Sequence, residues 1–263
     1  MLEYEFMRNA FVAGGGVAIV AGAVGFFLVL RNLSFAGHAL SHVGFAGATG
    51  AVLLGVSPLW GLLAFTLAAA IAMGILGERL HGRDVAVGIV LSLALGLGVL
   101  FLYLYTSHAS QATAILFGNL LGVSAETVAW LLGLSVAGLC ALAFISRPLL
   151  FATLSPEVAE AKGVSLRLVS VLFLVIVAIA VAEAAQVVGV LLVFALMVGP
   201  AAAALRLTAR IGPGVALAVL LALAETWAGI ALAYASDWPS SFWIVLLSCL
   251  VYFGSAIARP GAS

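Results

Sequence analysis

Phe11–Leu30, FVAGGGVAIVAGAVGFFLVL, carries no charged or amide side chain from end to end. A helix needs about 20 apolar residues to cross the hydrocarbon of a bilayer, so this stretch reads as a membrane span. Within it, Gly14, Ala18 and Gly22 recur every fourth residue. That small-xxx-small spacing lets a second helix approach closely where no hydrophobic effect drives association. Ala94 and Gly98 repeat the pattern further on. Similar apolar runs lie at roughly 35–55, 60–77, 85–105, 126–146, 166–184, 186–205, 213–235 and 240–258. The whole chain of 263 residues is 65% hydrophobic and 8% charged, with a mean hydropathy of +1.32. Soluble domains carry about 25% charged residues. The expected fold is therefore an all-α integral membrane protein, a polytopic bundle of about eight or nine transmembrane helices. It forms one membrane domain over 1–259, with a short tail at 260–263. Ala112–Val123 is too short to span alone; it reads as re-entrant, as interfacial, or as merging with the next span.

The polar residues narrow the classes. Ten basic and ten acidic side chains give zero net charge, so no nucleic-acid surface is expected. Cys140 and Cys249 lie in different apolar runs and read as small packing residues rather than a disulfide framework. The N-terminus, MLEYEFMRNA, lacks a basic region before its apolar run, so the first span is expected to stay in the protein. Lys162 is the sole lysine and follows Ala161, which leaves no phosphate-cradling GxxxxGK[ST] loop. With nine spans, Arg31, Arg79, Arg83, Arg147, Lys162, Arg167, Arg206, Arg210 and Arg259 share one side and Arg8 takes the other. Basic residues collect on the cytoplasmic side, so the N-terminus is expected outside and the C-terminus inside.

His38 and His42 stand four residues apart within the second apolar run, FAGHALSHVGFAG. On a helix, such side chains share a face about 5–6 Å apart, a spacing at which two imidazoles can hold one metal ion. Packing or an interhelical hydrogen bond is the alternative. Ionisable residues within spans are rare and usually line an interior or a pathway, which favours the ligand reading. Glu225 falls mid-span in LALAETWAG; a third ligand, a partner for a histidine ring N–H, or a protonated structural residue all fit it. Glu183, Gln186 and Asp237 sit near outer ends of spans and read as an electronegative mouth or as solvated loops. His108 is expected outside and His81 inside.

One short polar stretch is built like a helix. In LSPEVAEAKGV, Ser155 suits the N-cap, Pro156 the first helical position, Glu157 the positive helix start and Gly163 the end. These residues, with Glu160 and Lys162 between them, define about two turns on the cytoplasmic side. An ordinary surface helix is one reading; a coupling helix, by which a cytoplasmic motor moves the spans, is the other.

Several of these motifs, in order along the chain, resemble the metal-ion ABC transporter permeases, a family that imports zinc, manganese or iron in bacteria. Arg31-Asn-Leu-Ser-Phe-Ala-Gly37, Ala39-Leu-Ser-His42 and the Gly44–Gly47 pair resemble its second-span motif. Asp84–Gly88 resembles its acidic-to-glycine junction, and Phe117–Ser124 its mid-chain motif. Ser155–Val164 resembles its coupling helix, and Val188–Val193 with Gly199–Ala204 its later span that breaks at a proline. The resemblance implies the membrane subunit of an ATP-driven importer in the bacterial plasma membrane. It implies a homodimer among membrane lipids, a separate cytoplasmic ATPase and an extracytoplasmic metal-binding protein. No permanently bound cofactor is implied; the metal is cargo. Two positions depart from the family: aspartate is usual where this chain has His38, and again where it has Asn119. Exchanging a carboxylate for imidazole moves the expected cargo toward zinc and away from manganese. It also makes occupancy more sensitive to protons, since both rings must be neutral to bind.

Two other classes remain to be weighed. A stand-alone secondary carrier or channel for divalent cations is the alternative, disfavoured by the capped helix and by the scarcity of intramembrane charge for ion coupling. An intramembrane metalloprotease would need a general base beside its ligands, as in HExxH. Ala39 follows His38 and no glutamate adjoins the pair.

Overall fold

The computed structural model describes residues 3–79, 83–104, 115–118, 120–190 and 192–258. His81, His108, Asn119, Arg259, the tail 260–263 and part of Ala112–Val123 lie outside those residues. Ten α-helices are present among them: α1 (Glu5–Leu30), α2 (Ser34–Leu53), α3 (Pro58–Arg79), α4 (Arg83–Leu104), α5 (Ala125–Leu154), α6 (Pro156–Ala161), α7 (Leu166–Val188), α8 (Val193–Leu207), α9 (Ile211–Ser236) and α10 (Ser240–Ala258). Seven of them (α1, α3, α4, α5, α7, α9 and α10) are long and apolar enough to cross a membrane. α2 has 20 residues and the shorter, apolar α8 has 15. The all-helical membrane bundle expected from the sequence is therefore the fold, with seven helices among the described residues that meet the length and hydropathy of a span.

α1 is the axis of the bundle. Its apolar window is 78% buried, against 22% for α4 and α10 at the periphery. It packs on α5, α7, α8 and α9, and its small residues set how closely. A Cβ on Gly14 would meet the Thr226 and Ile230 side chains of α9, and one on Gly22 would meet the Ala218–Val219 backbone. Gly25 lies against the Met197 backbone of α8. The spaced small residues read in the first span are thus the groove that receives α9. α2 and α3 cross just as tightly where Gly47 faces Gly61.

Two boundaries differ from expectation. α5 runs to Leu154, well beyond the predicted span end, because Pro148 removes only one helical donor and the helix continues around it. Between α7 and α8 the chain breaks at Gly189, whose φ of +82° only glycine adopts freely. α8 is consequently about 22 Å long at 1.5 Å per residue, too short for a hydrocarbon core of about 30 Å. Residues 115–118 pack against this break. Gly118, with φ +75°, crosses Gly189, and a Cβ on Gly118 would lie 2.6 Å from the Gly189 nitrogen. The Val190 N–H donates to the Ile115 carbonyl at 3.2 Å, and the Ser241 hydroxyl to the Phe117 carbonyl at 2.6 Å. Asn9 of α1 donates to Val123 O at 3.4 Å. Residues 115–118 cover the α7–α8 turn, and Leu120–Gly122 form a separate short turn of helix before α5 begins at Ala125.

Candidate functional site

α2 presents two unlike faces. Gly37 sits against Leu28 of α1, Gly44 against Leu62 and Thr66 of α3, and Gly50 against Phe101 of α4. The glycine face is buried, and the helix has one uncovered stripe: Phe35 exposed, then His38, His42 and Phe45 half-buried. The His38 and His42 ring centres are 4.7 Å apart at an interplanar angle of 83°. A metal about 2.1 Å from one nitrogen of each ring would hold the ring centres roughly 5 Å apart. The observed spacing is therefore close to a chelating one. Phe194, at the first turn of α8, stands edge-on to His38 at 5.5 Å and gives the pair an apolar flank. Ser41 lies between the histidines in sequence but donates to the His38 carbonyl at 2.7 Å, so its hydroxyl is already engaged with the backbone.

Glu225 does not join them. α2 packs on α1, α3, α4, α7 and α8, whereas α9, which carries Glu225, packs on α1, α8 and α10. Among the described residues no three His, Cys, Asp or Glu side chains come together. Glu225 is 3% exposed, and the hydroxyl beside it is Ser248 of α10, which donates to Ala195 O at 3.0 Å. A three-ligand set of His38, His42 and Glu225 within one chain is thus not formed, because α1 and α8 stand between the two helices.

Glu183 also departs from expectation. It is fully buried and accepts a 2.8 Å hydrogen bond from Ser135 of α5. It belongs to the inside of the bundle rather than to an outer mouth. Its partner is 48 residues away in sequence, so no local pattern announces the pair. Asp237 is exposed beyond α9.

At the basic end, α6 forms where the capping residues place it. Pro156 is its first residue and Gly163, with φ +81°, turns the chain away. The Gly163 N–H donates to Glu160 O at 2.8 Å and the Val164 N–H to Ala159 O at 2.9 Å, closing the helix end. The Ser155 hydroxyl makes no cap hydrogen bond; the serine that does cap is Ser165, which accepts from the Leu168 N–H at 3.2 Å. Only Ala159 of α6 is buried. Glu157, Val158, Glu160 and Ala161 are exposed, as are Lys162 and Gly163 after it. The Lys162 ammonium rests 5.7 Å from the Phe151 ring. A six-residue helix with one buried side chain is held by its two flanks, α5 and α7, and presents everything else outward.

Comparison with known proteins decides the family. The ABC 3 transport family model matches residues 3–259. The chain belongs to the ABC 3 transport family. This ABC 3 permease is 30% identical over 259 residues to the manganese import system permease protein ScaB of Streptococcus parasanguinis, covering 98% of this chain and 92% of that one. It is 26% identical over 261 residues to the manganese transport system membrane protein MntC of Listeria monocytogenes, covering 99% and 93%. Among solved structures it is similar to PsaBC from Streptococcus pneumoniae in complex with Fab, with a TM-score of 0.88 and 27% identity over 99% of this chain and 94% of that chain. The permease is thus a multi-pass protein of the bacterial plasma membrane, and ATP hydrolysis belongs to a separate subunit of the system.

Proposed function

We propose that this permease carries a divalent transition-metal ion inward, and that His38 and His42 hold the ion in transit. The observation that carries this reading is the uncovered stripe of α2. Two imidazoles with their ring centres 4.7 Å apart lie on the only face of that helix left open. Two protein ligands, with water filling the remaining positions, suit a site that must release its ion; structural zinc sites are closed by four. The relatives named above are manganese permeases, which supports manganese. The donor set supports zinc, because imidazole suits zinc and carboxylate suits manganese, and among the described residues no carboxylate stands with the pair.

The same reading gives the exposed surfaces their partners. A second copy of the chain covers the open stripe of α2, so that two histidine pairs face one pathway. A cytoplasmic ATPase subunit seats on α6, and a metal-binding protein delivers the ion at the opposite end. Uptake into vesicles bearing the permease and its ATPase, with zinc, manganese and iron each supplied on the binding protein, is the decisive experiment. Uptake is expected to require ATP, and the permease alone to move nothing uphill. Uphill transport by the permease alone would make it a stand-alone carrier instead.

Reversing the charges on α6 is expected to break the docking. Glu157→Lys with Glu160→Lys changes two exposed side chains and removes no buried contact, so the permease still folds. Metal uptake is expected to fall to background, with loss of ATPase co-purification or of coupling. Coupled uptake at the unmodified rate in the double variant would remove α6 from the docking surface.

A further inference from the structure

Arg31 follows α1 and precedes the left-handed Asn32, φ +55°, that turns the chain into α2. Its guanidinium leaves that turn and reaches two other helices. One nitrogen donates to the Thr153 hydroxyl at 3.0 Å and approaches the Leu149 carbonyl at 3.5 Å, both in the last turns of α5. The other donates to the Ser170 hydroxyl at 3.1 Å, in the first turns of α7. The ring of Phe173, fully buried on α7, lies 5.7 Å from the guanidinium carbon. Thr153 in turn donates to Leu149 O at 2.6 Å, which fixes its rotamer as an acceptor for Arg31.

α5 and α7 are the two flanks on which α6 hangs. Thr153 stands three residues before Pro156, and Ser170 five residues after Ser165. His38 stands seven residues after Arg31, about 10 Å along the chain at helical rise. One side chain therefore bridges both supports of the exposed cytoplasmic helix to the turn that feeds the histidine helix. Apolar packing also connects α7 with α2 and α3, but it is non-directional and lets helices slide. Charge-assisted hydrogen bonds from a planar fork fix distance and angle together.

We infer that Arg31 is a positioning residue that transmits displacement of α6, through the ends of α5 and α7, to the His38–His42 stripe of α2. The inference rests on the reading that α6 is the ATPase contact. A push on α6 moves the Thr153 and Ser170 hydroxyls together, and the guanidinium held between them drags the α1–α2 turn. The histidines then move without any contact of their own with the motor.

Hydrogen–deuterium exchange in the permease–ATPase complex, with and without a non-hydrolysable ATP analogue, tests this. In the unmodified complex the analogue is expected to change exchange at α6 and along 34–47. In Arg31→Gln the α6 response persists, while the 34–47 response falls by about fivefold or more, the low end of coupling between distant sites. Arg31→Lys keeps the charge but cannot fork to both flanks, so it behaves as Arg31→Gln. Thr153→Val with Ser170→Ala removes the two hydroxyl acceptors and leaves the longer 3.5 Å approach to the Leu149 carbonyl on α5, so nothing ties the guanidinium to α7 through Ser170. Arg31 and its turn stay intact, the same loss is expected, and this pair decides the matter if Arg31→Gln fails to assemble. A 34–47 response that survives in these variants overturns the inference alone, as does full rescue by lysine. Absence of any α6 response in the unmodified complex overturns the docking reading and the inference with it.

Discussion

Replacing His42 by alanine is expected to abolish metal uptake while leaving the permease folded and assembled. His42 is half-buried on the open stripe of α2, so the substitution empties no enclosed core volume and alanine keeps the helix. Its loss leaves a single imidazole for the ion. Removing an outer partner that merely orients a ligand already costs about 10–100-fold in metal affinity; removing the ligand itself costs at least as much. Zinc and manganese uptake would be measured side by side in cells lacking other importers, with permease abundance and ATPase co-purification measured in the same membranes. Loss of both ions with normal abundance supports a shared transit site. If His42→Ala carried metal at the unmodified rate, the two rings would be packing residues and the pathway would lie elsewhere.

Much of this architecture could be read from single stretches, because the bilayer imposes lengths and because small residues announce close crossings. Gly14, Ala18 and Gly22 were legible as a groove, and α9 lies in it. The limits of α6 followed from Pro156 and Gly163. What escaped the sequence depends on long-range placement. Glu225 is as polar and as deeply placed as a ligand should be, yet α1 and α8 separate it from the histidines. Glu183 looked like a rim residue because span length alone put it near an outer end. In the folded chain residues 115–118 cover the α7–α8 turn, and Ser135, 48 residues away, meets the Glu183 carboxylate. In the sequence Arg31 counted as one positive charge among nine on its side and as the first residue of the second-span motif, with no partner assigned to it. Its three-helix bridge depends on Thr153 and Ser170, which no period or cap relates to it.

Chemistry at His38 yields the other large effect. His38→Asp is expected to shift transport from zinc toward manganese without blocking it. The position is half-buried on an open stripe, so a carboxylate there keeps part of its hydration and avoids the cost of burying a bare charge. His42 remains as the second donor one turn away. The carboxylate oxygen is a harder ligand than the imidazole nitrogen it replaces, which favours manganese over zinc. It also relaxes proton competition, since one fewer ring must be neutral for binding. A change of about tenfold in the manganese-to-zinc uptake ratio requires only ~1.4 kcal/mol of differential affinity, well within what one ligand exchange supplies. Both ions would be offered together, each carried by the same binding protein, so that the ratio reads the permease and not delivery. His38→Asn, which keeps the size of aspartate without its charge, is expected to depress both ions alike. An unchanged ratio in His38→Asp would show that ion choice is made before the ion reaches α2.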